Sequence, residues 1–188
     1  NGDLLAELKI EDKLRVNAEE ATAYFRSENI QTTILSGDSE NKVQQVAEKL
    51  GIESYHASQL PDQKLNIIDK LSEDGITAMV GDGVNDAPAI TKADVGISIK
   101  GSNDIAINSA DIVLLKSDLG KLPYIPKLSK HTFTTIQQNL FWAFFYNVIA
   151  IPIAAAGLLN PMIAALAMAF SDVIVIGNSL RLRSKKLR

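Results

Sequence analysis

Up to about residue 119 the chain alternates short apolar runs with charged stretches of helical period. The runs TTIL (32–35), ITAMV (76–80), VGISI (95–99) and DIVLL (111–115) are rich in β-branched residues and bounded by Gly, Asp or Ser. Runs of that length and composition predict buried strands. Helices are predicted between them. Residues 17–29 place Ala18, Ala21, Ala23 and Phe25 near one face. Residues 39–50 open on a serine and carry Val43, Val46, Ala47 and Leu50 at three-to-four spacing. Residues 61–73 open on Pro61 and group Leu65, Ile68 and Leu71. Pro is tolerated in a first helical turn, where its missing N–H costs nothing. Strand–helix alternation implies an α/β architecture, a parallel sheet covered by helices.

After KLPYIPKL (121–128) the pattern changes. Residues 139–159, NLFWAFFYNVIAIPIAAAGLL, carry no charge, and residues 161–180 carry one, Asp172. At ~1.5 Å per residue, either run crosses a hydrocarbon layer of ~30 Å. The expected organisation is a soluble domain over 1–119 and a linker or stalk over 120–138. Two transmembrane helices follow over about 139–159 and 161–180, then a basic tail over 181–188. The competing reading is a pair of core helices buried in a soluble protein. The tail RLRSKKLR holds five cations and no acid. Positive charge flanks membrane spans on the cytoplasmic side. The tail therefore predicts a cytoplasmic C-terminus, and two spans then put the soluble domain in the cytoplasm too.

The net charge is −3, so the chain is acidic apart from that tail, and no nucleic-acid partner is expected. There is no cysteine, which excludes disulfides and thiolate metal sites within these residues. The sequence begins with Asn, and we expect it to be a piece of a longer chain.

The chemistry gathers where strands end. The motif GDGVNDAP (81–88) follows the apolar run 76–80 and packs two glycines, two carboxylates, an asparagine and a proline into eight positions. In a parallel sheet, ligands bind at the carboxyl ends of the strands. Gly81 and Gly83 let the backbone approach an anion closely. Ser36 of the Ser36-Gly37-Asp38 turn can donate to a phosphate oxygen. Carboxylates beside an anion need a cation between them, so Asp82 and Asp86 suggest Mg2+, a hard ion that takes carboxylate, water and phosphate oxygens. Lys64, early in a helix, is a candidate to meet the phosphate. Singly, each piece also reads as an ordinary turn or a solvated lysine.

At these residues the chain resembles the P-type cation-transporting ATPases, a branch of the haloacid dehalogenase-like superfamily. The string 81–88 looks like that family's GDGxNDxP hinge signature. Ser36-Gly37-Asp38 resembles its Thr/Ser-Gly-Asp motif, Asp12-Lys13-Leu14-Arg15 its Asp-x-x-Arg segment, and Pro61-Asp62-Gln63-Lys64 the segment bearing its phosphate-binding lysine. The resemblance implies a Rossmann-like phosphorylation domain, in part, followed by a transmembrane hairpin. It implies Mg2+ on Asp82 with support from Asp86, and Asn85 against the phosphoryl group. Ser36 and Gly37 would hold phosphoryl oxygens, Asp38 would fix their loop, and Lys64 would neutralise charge. Asp12, Arg15, Gly81 and Gly83 would bind the cofactors, which the resemblance implies are Mg2+ and ATP.

The membrane half resembles the last two helices of the heavy-metal branch. Copper(I) members carry Tyr-Asn in the first, here Tyr146-Asn147, and Met-x-x-Ser-Ser in the second, here Met168-Ala-Phe-Ser171-Asp172. The final position departs from that pattern. Thioethers favour Cu(I), whereas a carboxylate favours harder or borderline divalent ions. An ionised Asp at mid-bilayer costs roughly 2.5–3.5 kcal/mol and so needs a partner or a role. Packing is the plain alternative for Met168, and His56 and His131 read as structural.

The family's nucleophile is an Asp in a DKTGT-type string, which does not occur in these residues. The resemblance therefore implies the C-terminal part of an ATP-driven heavy-metal pump, copper first, with the nucleophile strand, nucleotide-binding domain and earlier helices as partners. Alternatives are a pump for Zn, Cd or Co, a non-catalytic membrane-associated regulatory module, and a membrane-anchored phosphatase.

Overall fold

The computed structural model describes residues 13–82, 84–99, 107–158 and 160–184. The chain divides between Pro123 and Tyr124 into two compact units.

The first unit is α/β. Its elements run α1 (Ala18–Ser27), β1 (Thr33–Leu35), α2 (Glu40–Leu50), β2 (Ser54–His56) and α3 (Pro61–Asp74). They continue as β3 (Ala78–Gly81), a 3-10 turn (Val84–Asp86), α4 (Ala87–Lys92), β4 (Val95–Ile99), β5 (Ile112–Leu114) and a second 3-10 turn (Leu119–Lys121). All strand pairing is parallel, as expected, but it forms two ladders. One joins β1 to β2, with Leu35 opposite His56. The other has the order β3-β4-β5, with Gly81 opposite Ser98 and Ile97 opposite Ile112. Among the described residues no ladder joins β1 to β3. Leu35 of β1 nevertheless packs against the cluster Ile68, Met79, Ala89, Ile90 and Ala93, so apolar burial bridges the break.

Local chemistry explains the boundaries. Gly51 ends α2 in the left-handed region at φ 62°, and Ile52 N–H donates back to the Ala47 carbonyl at 2.8 Å. The Leu60 N–H, at the start of α3, donates to Gln63 Oε1 at 2.8 Å, filling an otherwise orphan donor. Asp94 and Asp111 tie the strand ends. They accept from Thr77 N–H and Gly96 N–H, both at 2.8 Å. On α1, Ala18 and Ala21 are buried, whereas Ala23, grouped with them from sequence, is exposed. Two elements had no sequence signal. Strand β2 is a polar three-residue segment, and α4 is a six-residue helix with Pro88 in its first turn.

The second unit is two helices, α5 (Tyr124–Ala155) and α6 (Pro161–Ser184). Both are long and apolar enough to cross a membrane, and their most apolar windows are almost entirely exposed within the chain. The reading of two buried core helices is therefore overturned. Phe144, Ile151, Phe170 and Val173 face outward, which suits lipid and not water. Helix α5 begins well before the expected span, because residues 124–138 of the linker or stalk are part of the same helix. At ~1.5 Å per residue it is longer than a ~30 Å hydrocarbon layer, so its polar N-terminal part projects beyond one. Asn139 Nδ2 donates to Ser179 Oγ, and Asn178 Nδ2 donates to Asn139 Oδ1, both at 2.9 Å. These bonds set the antiparallel register of the pair. Of the basic tail, Arg181–Ser184 continue α6, and 185–188 lie outside the described residues.

Candidate phosphoryl and magnesium site

Strand β3 delivers Gly81 and Asp82, and the chain then turns through Val84–Asp86 into α4. Gly81 is there for space. A Cβ on it would lie 2.7 Å from the Asp86 Cβ and 3.0 Å from Ile90 Cδ1. Only a residue without a side chain lets the turn fold Asp86 back over its own strand end. Asp86 there accepts from Lys64 Nζ at 2.7 Å, and the two side chains are 17% and 10% exposed. Asp82 forms an ion pair with Arg15 nearer the surface. Asn85 is exposed in the turn between the two acids. Asp12 and Gly83 lie outside the described residues.

The loop after β1 is built from its own bonds. Asp38 N–H donates to Ser36 Oγ at 3.1 Å, and Ser36 Oγ donates to Asp38 Oδ2 at 3.3 Å. The loop is then pinned to the segment after β2. Ser58 N–H donates to the Asp38 carbonyl at 2.8 Å and Gln59 N–H to the Ser36 carbonyl at 2.9 Å. A Cβ on Gly37 would meet only the Gln59 carbonyl, at 3.5 Å, so its value is an accessible backbone and not relief of a clash. The segment 57–60 runs straight into α3, whose first turns present Lys64. One helix thus links the Ser36-Gly37-Asp38 loop to Asp86. At the other end of α4, Lys92 donates to Asp69 of α3 at 2.8 Å, a hydrogen bond that raises the pKa of the exposed ammonium.

Several features suit a hard divalent ion. The donors at the end of β3 are carboxylates, Asp82 and Asp86. Mg2+ is commonly held by one or two carboxylates, with water and phosphate oxygens completing its shell. The cradle over Gly81 that a Cβ would fill gives Asp86 its place. Beside it, Ser98 is fully buried, pairs across the ladder with Gly81, and leaves its Oγ without a partner among the described residues. Sequence reasoning passed over Ser98. Its only signal was a hydroxyl inside the apolar run VGISI.

The Lys64–Asp86 pair is enclosed enough to matter for stability. Replacing Lys64 by Met leaves the Asp86 carboxylate without its cation. We expect a loss of about 1–2 kcal/mol, from an unsatisfied and partly buried charge. Thermal unfolding of the chain in detergent checks this, and an unchanged or higher melting temperature would refute it.

In the membrane unit, equal steps along the antiparallel helices from Asn139 and Asn178–Ser179 bring Tyr146 and Asn147 to the depth of Ser171 and Asp172. Met168 lies one turn further along α6 and is exposed. The Asn147 amide donates to the Ala143 carbonyl at 3.0 Å, a bond within its own helix.

The model of the haloacid dehalogenase-like hydrolases matches residues 1–94. Over 185 residues the chain is 48% identical to the cation-transporting P-type ATPase B of Mycobacterium bovis, covering 98% of this chain and 25% of that protein. It is 42% identical over 185 residues to the copper-exporting P-type ATPase of Mycobacterium leprae, covering 98% and 24%. The crystal structure of a zinc-transporting PIB-type ATPase in its E2·Pi state superposes with a TM-score of 0.84 at 32% identity, covering 95% of this chain and 29% of that one. The chain spans about a quarter of the length of the curated relatives it matches. The chain belongs to the haloacid dehalogenase-like hydrolase family, on the side of it occupied by the heavy-metal-transporting P-type ATPases.

Proposed function

We propose that this chain supplies the magnesium and phosphoryl half-site and the last membrane helix pair of an ATP-driven heavy-metal pump, with copper the leading cargo. The observation that carries this is the end of β3. Asp86 is folded against Lys64 there, Asp82 lies at the strand's end, and the chain goes on to two helices able to cross a membrane.

In this reading the Ser36 hydroxyl and the backbone of Gly37 hold phosphoryl oxygens, and Asp38 keeps that loop in shape. Lys64 neutralises charge on the transferred group and Asn85 orients it. Asp82, supported by Asp86, holds Mg2+, which neutralises phosphate charge when bound. Arg15 and Gly81 contribute to binding the cofactors, a role that Asp12 and Gly83, outside the described residues, would share. Phosphoryl transfer asks a protein mainly for positioning and charge stabilisation, which these groups provide. The aspartate nucleophile comes from the remainder of the pump. The break between β1 and β3 is where its strand enters, between two parallel ladders that already share a core.

Tyr146, Asn147, Met168, Ser171 and Asp172 handle the transported ion near the bilayer middle. Asp172 favours a second reading of the cargo, a divalent ion such as Zn2+, because a carboxylate is a harder donor than a thioether or hydroxyl. The test is ATPase stimulation of the full-length pump by Cu(I), Zn, Cd and Co, with wild type beside Asp172→Ser. Copper cargo predicts stimulation by Cu(I) in both proteins. Stimulation by Zn, Cd or Co alone, lost in Asp172→Ser, would transfer the assignment to a divalent ion. Stimulation by none would remove the pump reading.

A further inference from the structure

The two carboxylates assigned to magnesium each meet a cation of the chain itself, and the two pairs are unequal. Lys64 and Asp86 are enclosed, with side chains 10% and 17% exposed. Arg15 and Asp82 are 37% and 48% exposed. Water screens the second pair, so its attraction is small and the two side chains separate readily. Arg15 also has somewhere to go. It borders a cavity of about 300 Å3 that is lined as well by Leu14, Asn17, Glu19 and Glu20. Both glutamates are exposed there, in the first turn of α1.

We propose that Arg15 is an exchangeable counter-ion. It holds Asp82 while no divalent ion is bound, yields it to Mg2+, and moves toward Glu19 and Glu20. This rests on the magnesium reading above. Two like charges at one exposed carboxylate repel each other, and Mg2+ demands near-octahedral geometry that a seated guanidinium obstructs. Whatever stabilises the metal-free arrangement lowers apparent metal affinity in proportion. Arg15 thereby sets the concentration at which the site fills. Lys64 stays on Asp86 throughout, so the exchange is confined to one of the two acids.

The experiment is Mg2+ titration of the full-length pump in detergent by calorimetry, for wild type, Arg15→Gln, Arg15→Lys and Asp82→Asn. Arg15→Gln should bind Mg2+ about two- to fivefold more tightly, the range an exposed ion pair allows. Arg15→Lys keeps a cation and should stay near wild type. In wild type the NMR signal of the Arg15 Nε–H should move as Mg2+ is added, with the midpoint seen by calorimetry. Equal or weaker binding by Arg15→Gln, or an unmoved Arg15 signal, overturns the exchange. If those occur while Asp82→Asn still abolishes binding, only the exchange falls. If wild type takes up no Mg2+, or Asp82→Asn binds as well as wild type, the magnesium reading falls and the exchange with it.

Discussion

Asp82→Asn in the full-length pump should lower Mg2+-dependent ATP hydrolysis by about a hundredfold or more, while leaving the melting temperature close to wild type. The expectation follows from where the side chain sits. Asp82 is the first residue after β3, roughly half exposed, and its one described partner is the exposed Arg15. Little of the fold depends on it. Exposed ion pairs contribute only about 0–1 kcal/mol to stability. An amide of the same shape keeps the packing but lacks the anionic oxygen that a hard cation needs. Losing one group that stabilises charge in a transition state costs on the order of 100- to 1,000-fold in rate. Steady-state hydrolysis against Mg2+ concentration measures it. Turnover within about threefold of wild type would remove Asp82 from the metal site.

Gly96→Ala should produce the largest loss of stability, about 2–3 kcal/mol. Gly96 lies in the middle strand of the β3-β4-β5 ladder. A methyl group there would sit 2.6 Å from the Ile90 carbonyl oxygen and 2.8 Å from Ile90 Cγ2. Neither side can retreat. Ile90 is fully buried, and Gly96 is bound on both sides of its backbone by Asp111. Overpacking against backbone in a dense core costs about 1–3 kcal/mol, and here the obstacle is a helix carbonyl, at the upper end. Because α4 carries the damage, Asp86, the residue just before its first turn, should shift off Lys64. Gly75→Ala is the matched control, since nothing lies within 4 Å of its would-be Cβ. Denaturation of both variants decides the matter. Equal stability of Gly96→Ala and wild type would show that α4 can move away from the sheet.

Much of this architecture was readable before any coordinates. Strand β4 spans the apolar run 95–99, β1 and β5 appear within their runs, and β3 starts inside the run 76–80 and ends one residue past it at Gly81, because β-branched segments bounded by turn formers have few other ways to be buried. Strand β2 was invisible because pairing with β1, not composition, makes it a strand. The helical start of α5 was not placed from sequence, where residues 120–138 carried only the expectation of a linker or stalk. Pro126 falls in the first turn, where it leaves no hydrogen bond unmade. At the candidate site the acids were legible, since turn formers and carboxylates after an apolar strand imply a cation. Their partners were not. Arg15 stands 67 positions from Asp82, and Lys64 stands 22 from Asp86. Only the folded chain sets such distances. Ser98 was hidden for the opposite reason, because it stands inside a strand whose every other signal was core.

The amide clasp of Asn139 with Asn178 and Ser179 has a mechanical consequence. Sliding one helix past the other by a turn would break both of these bonds at once. The pair can still hinge, opening like scissors about the clasp. A rearrangement that separates Tyr146 and Asn147 from Ser171 and Asp172 while keeping the clasp must come from a change of crossing angle and not from translation.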